Sequence, residues 1–436
     1  MRAVVFGQSG LEKDAYLGEV QACAKREGKN FTILNTGKYM QSIDSLHRDP
    51  QLFPSFGVAE RETLRTQALE SILRKVEEDP QSDYVLNAHA VFRLQTGLIS
   101  AADVDLLRKF SPEIVIVLID DFYVIHRRLR DSPPYQALKQ SAILEWRDAE
   151  IMTSRTVAQQ LFPNPTSNER QFFVVARAHH PCVLYRLFYE RRSRKRIYCS
   201  FAITGATPEQ KARIQQFKNR LGEKHIVFDP FKIVERIPCA VAIRSLTQAA
   251  QRLKGSKSVV KAYDVFTRSL IRRGIQKLDV SVRKEFTAVD VLPGLIQLEF
   301  SPPGEHRIQR EDVCPEEMFK PYRFTLDELV SLTPIVDGQI LSRDYLLIDQ
   351  SEMVCALVPL RKGKPEVSAG SQSELTYAKL AGKPRYVVCE GPWSEVSLWV
   401  AGHADRQFDT IEQLGSFLLG GGEKWAEKEK SLKSSG

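Results

Sequence analysis

Short, almost wholly apolar runs recur along the first half of the chain and alternate with longer stretches of mixed character. The runs are RAVVFG from Arg2, NFTILN from Asn30, YVLNAHA from Tyr84, EIVIVLID from Glu113 and QFFVVAR from Gln171. They are rich in β-branched and aromatic side chains and show no polar–apolar alternation, which predicts strands buried on both faces. Between them, Lys13–Glu27 and Ala59–Glu77 repeat apolar residues at helical spacing. Strand and helix in turn predict a parallel sheet with helices on both sides.

A charged hinge, YERRSRKR from Tyr189 to Arg196, ends this rhythm, and a second one starts. IYCSFAITG from Ile197 reads as a strand, Pro208–Leu221 as a helix and HIVFDP from His225 as a strand. Over 236–335 the pattern changes to charged helical stretches, such as Leu246–Gln276, and Pro-broken pieces, such as FSPPGEHR. The α/β rhythm returns with SRDYLLIDQSEMVCALVPL, SELTYAKLAGK and RYVVCEG. The expected fold is α/β, with two doubly wound parallel-sheet domains. The first covers 1–190. The second covers 196–235 and 336–420 and is split by an insertion at 236–335. Residues 421–436, rich in Gly and Lys, read as a flexible tail.

Charge and cysteine usage narrow the function classes. The net charge is +8. Its excess sits in Arg191–Arg196, in Arg127–Arg130 and beside Arg272, and it favours anionic partners: nucleotides first, nucleic acid as a weaker option, with a merely solvated surface as the plain alternative. No apolar run reaches the roughly 20 residues that span a bilayer, and the start reads as a strand rather than a leader, so a cytoplasmic protein is expected. The seven cysteines are scattered and form no CxxC pair. They read as buried thiols rather than disulfides or a zinc cage. AHHPC, from Ala178 to Cys182, has no partner cluster elsewhere in the sequence and reads as a helix start, so no metal site is expected.

GQSGLEKD, Gly7 to Asp14, joins the first strand to the first helix, where a phosphate-binding loop belongs. Gly7, Gly10 and Lys13 hold the required places. Glu12 stands where a glycine belongs, and Asp14 where a Ser or Thr would hold Mg²⁺. Together with ILNTGKYM and with Tyr84–Asp131, this region resembles the archaeal-type adenylate kinases over about residues 1–180. The resemblance implies a P-loop kinase-like domain with Arg127 and Arg128 on phosphates, Asn87–His89 beside the nucleotide, and ATP with Mg²⁺ if the domain is active. The two added acids, each about 1 kcal/mol unfavourable at ~4 Å from a like charge in water, leave a nucleotide sensor or a structural module as alternatives.

In SAGSQSELTYAKLAGKP, from Ser368, a small-residue loop leads into a helix that carries Glu374 in its first turn. Asp344 belongs to a helical segment ahead of an apolar strand, and Tyr198 to the first strand of the second domain. Glycosidic cleavage needs a carboxylate at the sugar cation and an acid for the leaving group. Singly, Glu374 reads as a dipole-compensating residue, Asp344 as a helix cap and Tyr198 as core. In this order, with IYCSFAITG, VFDP and GKP, they resemble the nucleoside 2′-deoxyribosyltransferase family and its 2′-deoxynucleoside 5′-phosphate N-hydrolases. The resemblance covers 196–230 and 336–390 and implies a flavodoxin-like fold. It makes Glu374 the nucleophile, Asp344 the proton-handling acid and Tyr198 the orienting hydroxyl, with Ser368, Gly370 and Ser371 facing the 5′ side of the ligand. Glu352 falls on an acidic position at a strand start. No cofactor is required for such cleavage, and a homo-oligomer is implied. The SFAITGATPEQ loop and the insertion depart from the family pattern. A nucleoside monophosphate kinase and a non-catalytic nucleotide-binding module are the alternative functions.

Overall fold

The computed structural model describes residues 1–43, 56–94, 97–132, 135–163, 171–202, 206–233, 235 and 326–421. Residues 236–325 of the expected insertion, Leu246–Gln276 among them, lie outside the described residues, and so do the loop positions 203–205 and residues 422–436 of the tail.

The apolar runs form two five-stranded sheets of parallel strands. In the first, β1 (Arg2–Phe6), β2 (Thr32–Asn35), β3 (Tyr84–Asn87), β6 (Ile114–Ile119) and β7 (Phe172–Ala176) lie in the order β2-β3-β1-β6-β7. A hairpin of β4 (Val91–Leu94) and β5 (Gly97–Ser100) follows β3. Every residue of β6 and β7 is buried, as the unbroken apolar runs require of strands covered on both faces. The second sheet takes β8 (Arg196–Phe201), β9 (Ile226–Phe228), β10 (Met353–Val358), β13 (Arg385–Cys389) and β14 (Arg406–Phe408) in the order β14-β13-β10-β8-β9. A short ribbon, β11 (Leu360–Arg361) with β12 (Lys364–Pro365), follows β10. Numbered along the chain within each sheet, the orders are 2-3-1-4-5 and 2-1-3-4-5.

The molecule divides into two compact units. One holds Met1–Asp120, Trp146–Ile233 and Arg343–Gly436, and therefore both sheets. The other holds Asp121–Glu145 and Val234–Ser342. Within this second unit Glu235 accepts the Phe122 amide at 2.8 Å, and Gln339 Nε2 donates to Leu144 O at 3.1 Å.

Inside the first unit the two sheets meet at edge strands β7 and β9. Phe173 stacks on Phe228 with ring centroids 6.4 Å apart. The Gln350 side-chain amide gives and takes a 2.9 Å hydrogen bond with the backbone of Val174, so it satisfies an edge residue as a neighbouring strand would. His179 Nε2 accepts the Asp229 amide at 3.1 Å, and Asp229 pairs with buried Lys218 at 2.7 Å. The basic hinge is tied into this joint: Arg191 donates to Phe188 O, Arg194 pairs with Glu190, and buried Arg196 pairs with Glu352 at 3.1 Å. Glu352 thus anchors the N-terminal ends of β8 and β10.

Candidate functional site

Period-2 geometry in β8 divides its side chains between two environments. Ile197, Cys199 and Phe201 join Met353, Cys355, Leu357 and Val388 in the core beneath the sheet. Tyr198 and Ser200 therefore face the other side, in register with Val354 and Ala356 of β10. The helix Ala369–Leu380 packs on that side and buries Ser371, Leu375 and Ala378. Glu374 falls between them on the same stripe, three residues after Ser371 and four before Ala378. A carboxylate has taken a place on the core-facing side of a helix.

The sequence puts Glu374 in the first turn of its helix; the structure moves it into the second. Ser368 is the N-cap: its Oγ accepts the Ser371 amide at 3.0 Å, so the helix starts at Ala369. Dipole compensation acts within the first turn, and this placement removes the surface-residue reading of Glu374. Ser368 and Ser371 also share a hydroxyl–hydroxyl bond of 2.9 Å. Gly370 is exposed at the helix start, and a Cβ there would come no closer than 3.7 Å to Ser368 Oγ.

The helix Leu326–Gln350 carries Asp344 within electrostatic reach of Glu374 and Tyr198. Tyr345 and Tyr377 stack at 4.1 Å with planes 11° apart. Tyr345 Oη shares a 2.8 Å bond with Ser373 Oγ, and Tyr377 donates to Asp349 at 3.0 Å. Since Tyr345 follows Asp344 and Ser373 precedes Glu374, this clamp fixes the register of the two acids. Lys383, in the GKP turn, adds a tie by donating to Asp349 O and Ser351 O. Arg343 grips Asp344 Oδ1 through Nε and Nη2, at 3.1 and 2.9 Å.

The electrostatics set the two acids apart. Burial first, then the Asp344 charge, pushes the Glu374 carboxyl up to about 8, against the opposing pull of the Ser200 and Tyr198 hydroxyls and of Arg343. Burial also raises Asp344, while Arg343 pulls it back. The Tyr198 phenol is driven well above its ordinary value by burial, with Glu374 and Asp344 adding to the effect. The hydroxyls lie near enough to Glu374 to favour its ionised form, yet the contacts fall short of full hydrogen-bond geometry. Tyr198 Oη, Ser200 Oγ and Glu374 Oε2 are buried atoms without a partner. Three such atoms on one crevice form a set of donors and acceptors suited to a polar ligand. The structure thus gathers Glu374, Asp344 and Tyr198 below the Ser368–Ser371 helix start and adds Ser200 and Arg343. Ser200 was legible as the residue two after Tyr198, on the same strand face. Arg343 had only its adjacency to Asp344.

The loop after β1 contrasts with this. Gly7 has φ 149°, and a Cβ there would lie 2.8 Å from Leu118 O, so the turn demands glycine. Glu12 has φ 51°, the left-handed conformation a glycine adopts without steric cost, and its charge meets Arg177 at 3.0 Å. Lys13 is buried, with Nζ donating to Gly7 O and Gln8 O. Burial lowers it to about 8, against the pull of Glu150 and Asp14. Asp14 accepts from Asn35 and Asn87 and pairs with Lys38; these contacts outweigh its burial and hold it below the usual carboxylate range. His89, 3.4 Å from buried Glu150, is lowered mainly by burial. Phosphate at this loop would require Lys13 to leave its two carbonyls, and Asp14 already spends its charge on neighbours. Gly7, Gly10 and Lys13 share one loop. Arg127 and Arg128 lie in the last turn of helix Phe122–Arg130, in the second compact unit.

No helix among the described residues is long and apolar enough to cross a membrane. No protein-family model matches the chain, and no curated protein matches it.

Proposed function

We propose that the protein cleaves or transfers at the N-glycosidic bond of a nucleoside or nucleotide. The observation that carries this reading is the convergence of Glu374, Asp344, Tyr198 and Ser200 over β8 and β10, with the two acids in different environments. In a sheet of order 2-1-3-4-5, the crevice between the first and third strands is where ligands of open α/β proteins bind. β8 and β10 are those strands. Carboxyls pushed to different pKa values are the usual mark of divided acid and base roles.

In the proposed reaction the bond from C1′ to the base nitrogen breaks and its electron pair leaves with the base. Asp344 handles the proton that the base takes up. Glu374 enters largely protonated at neutral pH, and Asp344 takes that proton and passes it to the leaving base. The resulting carboxylate then captures C1′ as an ester or holds the cation, in a place where burial has left it few competing partners. Tyr198 and Ser200 orient the carboxylate, and the Ser368–Ser371 helix start faces the 5′ end. Water as acceptor completes hydrolysis; a second base completes transfer. The test is release of free base from a panel of ribo- and deoxynucleosides and their mono- to triphosphates, followed by chromatography. Base from the wild type and none from Glu374→Ala supports the reading. No base from any member while nucleotide still binds would overturn it.

A second reading rests on the first sheet, whose order 2-3-1-4-5 and Gly7–Lys13 loop suit a nucleoside monophosphate kinase or a nucleotide sensor. Phosphate transfer that needs ATP and Mg²⁺ and is lost in Lys13→Ala would favour the kinase. Ligand-induced stabilisation without turnover would favour the sensor.

A further inference from the structure

Folding brings Cys23 to His180 and to Cys182, which lies 159 residues further along the chain. Helix Lys13–Arg26 packs against helix Pro181–Tyr189, and at their contact the donor atoms of Cys23, His180 and Cys182 all lie within 4.8 Å of one another. The two sulfurs are 2.9 Å apart, and both cysteines are free thiols. Cys23 is buried, Cys182 is partly buried and His180 is exposed, so the group has a closed floor and an open side. The glycosidase reading uses none of these residues.

We propose that Cys23, His180 and Cys182 bind one soft d¹⁰ cation, Zn²⁺ or Cu⁺, through two thiolates and a neutral imidazole. Thiolate and imidazole donors select these ions over hard cations. Binding releases the two thiol protons to solvent and changes no oxidation state. Among the described residues no further His, Cys, Asp or Glu joins the group, so a tetrahedral Zn²⁺ would take water as its fourth ligand, whereas three donors suffice for Cu⁺. The Zn²⁺ site is formally neutral, and the Cu⁺ site carries −1. Arg26, which donates to Cys23 Sγ at 3.1 Å, offsets that charge. Ligation through His180 Nδ1 would give up the cap bond it accepts from the Cys182 amide, a small loss beside two metal–thiolate bonds, and ligation through Nε2 would keep it. An occupied site would tie the helix that begins at Lys13 to the helix that follows β7.

The test uses the full chain, reduced with a phosphine, stripped of metal and kept anaerobic. Co²⁺ is added first as a spectroscopic reporter, because thiolate ligation gives it intense near-ultraviolet charge-transfer absorption. Zn²⁺ and Cu⁺ are then titrated separately against chromophoric chelators. One equivalent is expected. Affinity should fall at least ~100-fold in Cys182→Ser and about 10-fold in His180→Ala, a change at an exposed side chain whose folding is checked by circular dichroism. The two titrations decide between the ions. Failure of the wild type to take up metal would overturn the proposal. So would uptake that is unchanged in both variants, which would place the metal elsewhere. A Cys23–Cys182 disulfide found by non-reducing peptide mapping, with no metal uptake after reduction, would replace the site with a redox pair.

Discussion

The loop at Lys13 and the crevice at Glu374 both bury a charge-bearing side chain at the head of a parallel sheet, yet they settle it in opposite ways. Lys13 is held by two carbonyls, Asp14 by two asparagines and a lysine, and Glu12 by Arg177. At the crevice, Glu374 Oε2, Tyr198 Oη and Ser200 Oγ have no partner. A buried polar atom without a partner costs about 1–3 kcal/mol. The first loop is therefore relaxed without a ligand, and any phosphate must displace bonds already made. The crevice stores a penalty that a polar ligand would relieve. The comparison teaches that motif completeness and readiness to bind are separate properties. The loop has more of a motif, and the crevice has more unmet hydrogen-bonding capacity.

The largest expected effect separates the two directly. Glu374→Ala should lower base release by about 10³-fold or more, while Lys13→Ala leaves it within roughly threefold. Equal losses, read by chromatography, would break the comparison. Stability should move the other way from activity. The folded Glu374 titrates at about 8 and the unfolded residue near its ordinary 4.5. Below 4.5 both states are protonated and burial carries no ionisation penalty. From 4.5 to 8 only the unfolded chain ionises, so stability falls as pH rises, by an upper limit on the order of 5 kcal/mol. Glu374→Gln should therefore raise the melting temperature at pH 8 to 9 and change it little at pH 4, as thermal unfolding can show.

Glycine replacements sharpen the contrast in backbone demand. Gly7→Ala places a Cβ 2.6 Å from Leu11 Cδ1 and 2.8 Å from Leu118 O at φ 149°, and should cost about 2–4 kcal/mol in denaturant unfolding. Gly370→Ala, which meets nothing closer than 3.7 Å, should be neutral or slightly stabilising. Asp344→Asn is expected to lower base release about 10²-fold. Removing its charge also lowers the Glu374 pKa, so the corresponding limb of the pH–rate profile should shift to lower pH. An unshifted limb would show that the acids are uncoupled. The smallest effect belongs to Arg177→Ala. It removes the Arg177 ion pair from half-exposed Glu12 and should cost no more than ~1 kcal/mol.

Much of the scaffold was legible in the chain. The runs at 2–6, 114–119, 172–176 and 353–358 are strands because unbroken apolar segments must be covered on both faces. Thr207 with Gln210 closes the capping box that starts helix Pro208–Gly222. The strands 91–94, 97–100 and 406–408 were missed, since they are only three or four residues long and mostly half-buried. The basic hinge looked like a solvated linker. It is a joint, because carbonyls and acids distant in sequence meet its arginines.

By itself the sequence determined where the long buried strands and their helices form, which residues could carry acid chemistry, and that Ser368 leads into the helix of Glu374. Those features depend on local periodicity, capping and turn chemistry, which act over a few residues. Only the tertiary structure decided that Glu374 faces inward rather than toward solvent and that Asp344 reaches its field. It alone brought Ser200 to the crevice, placed both sheets in one compact unit, and set Cys23 beside Cys182. Burial and charge coupling depend on which distant segments share a low-dielectric space, and spacing along the chain does not encode that directly.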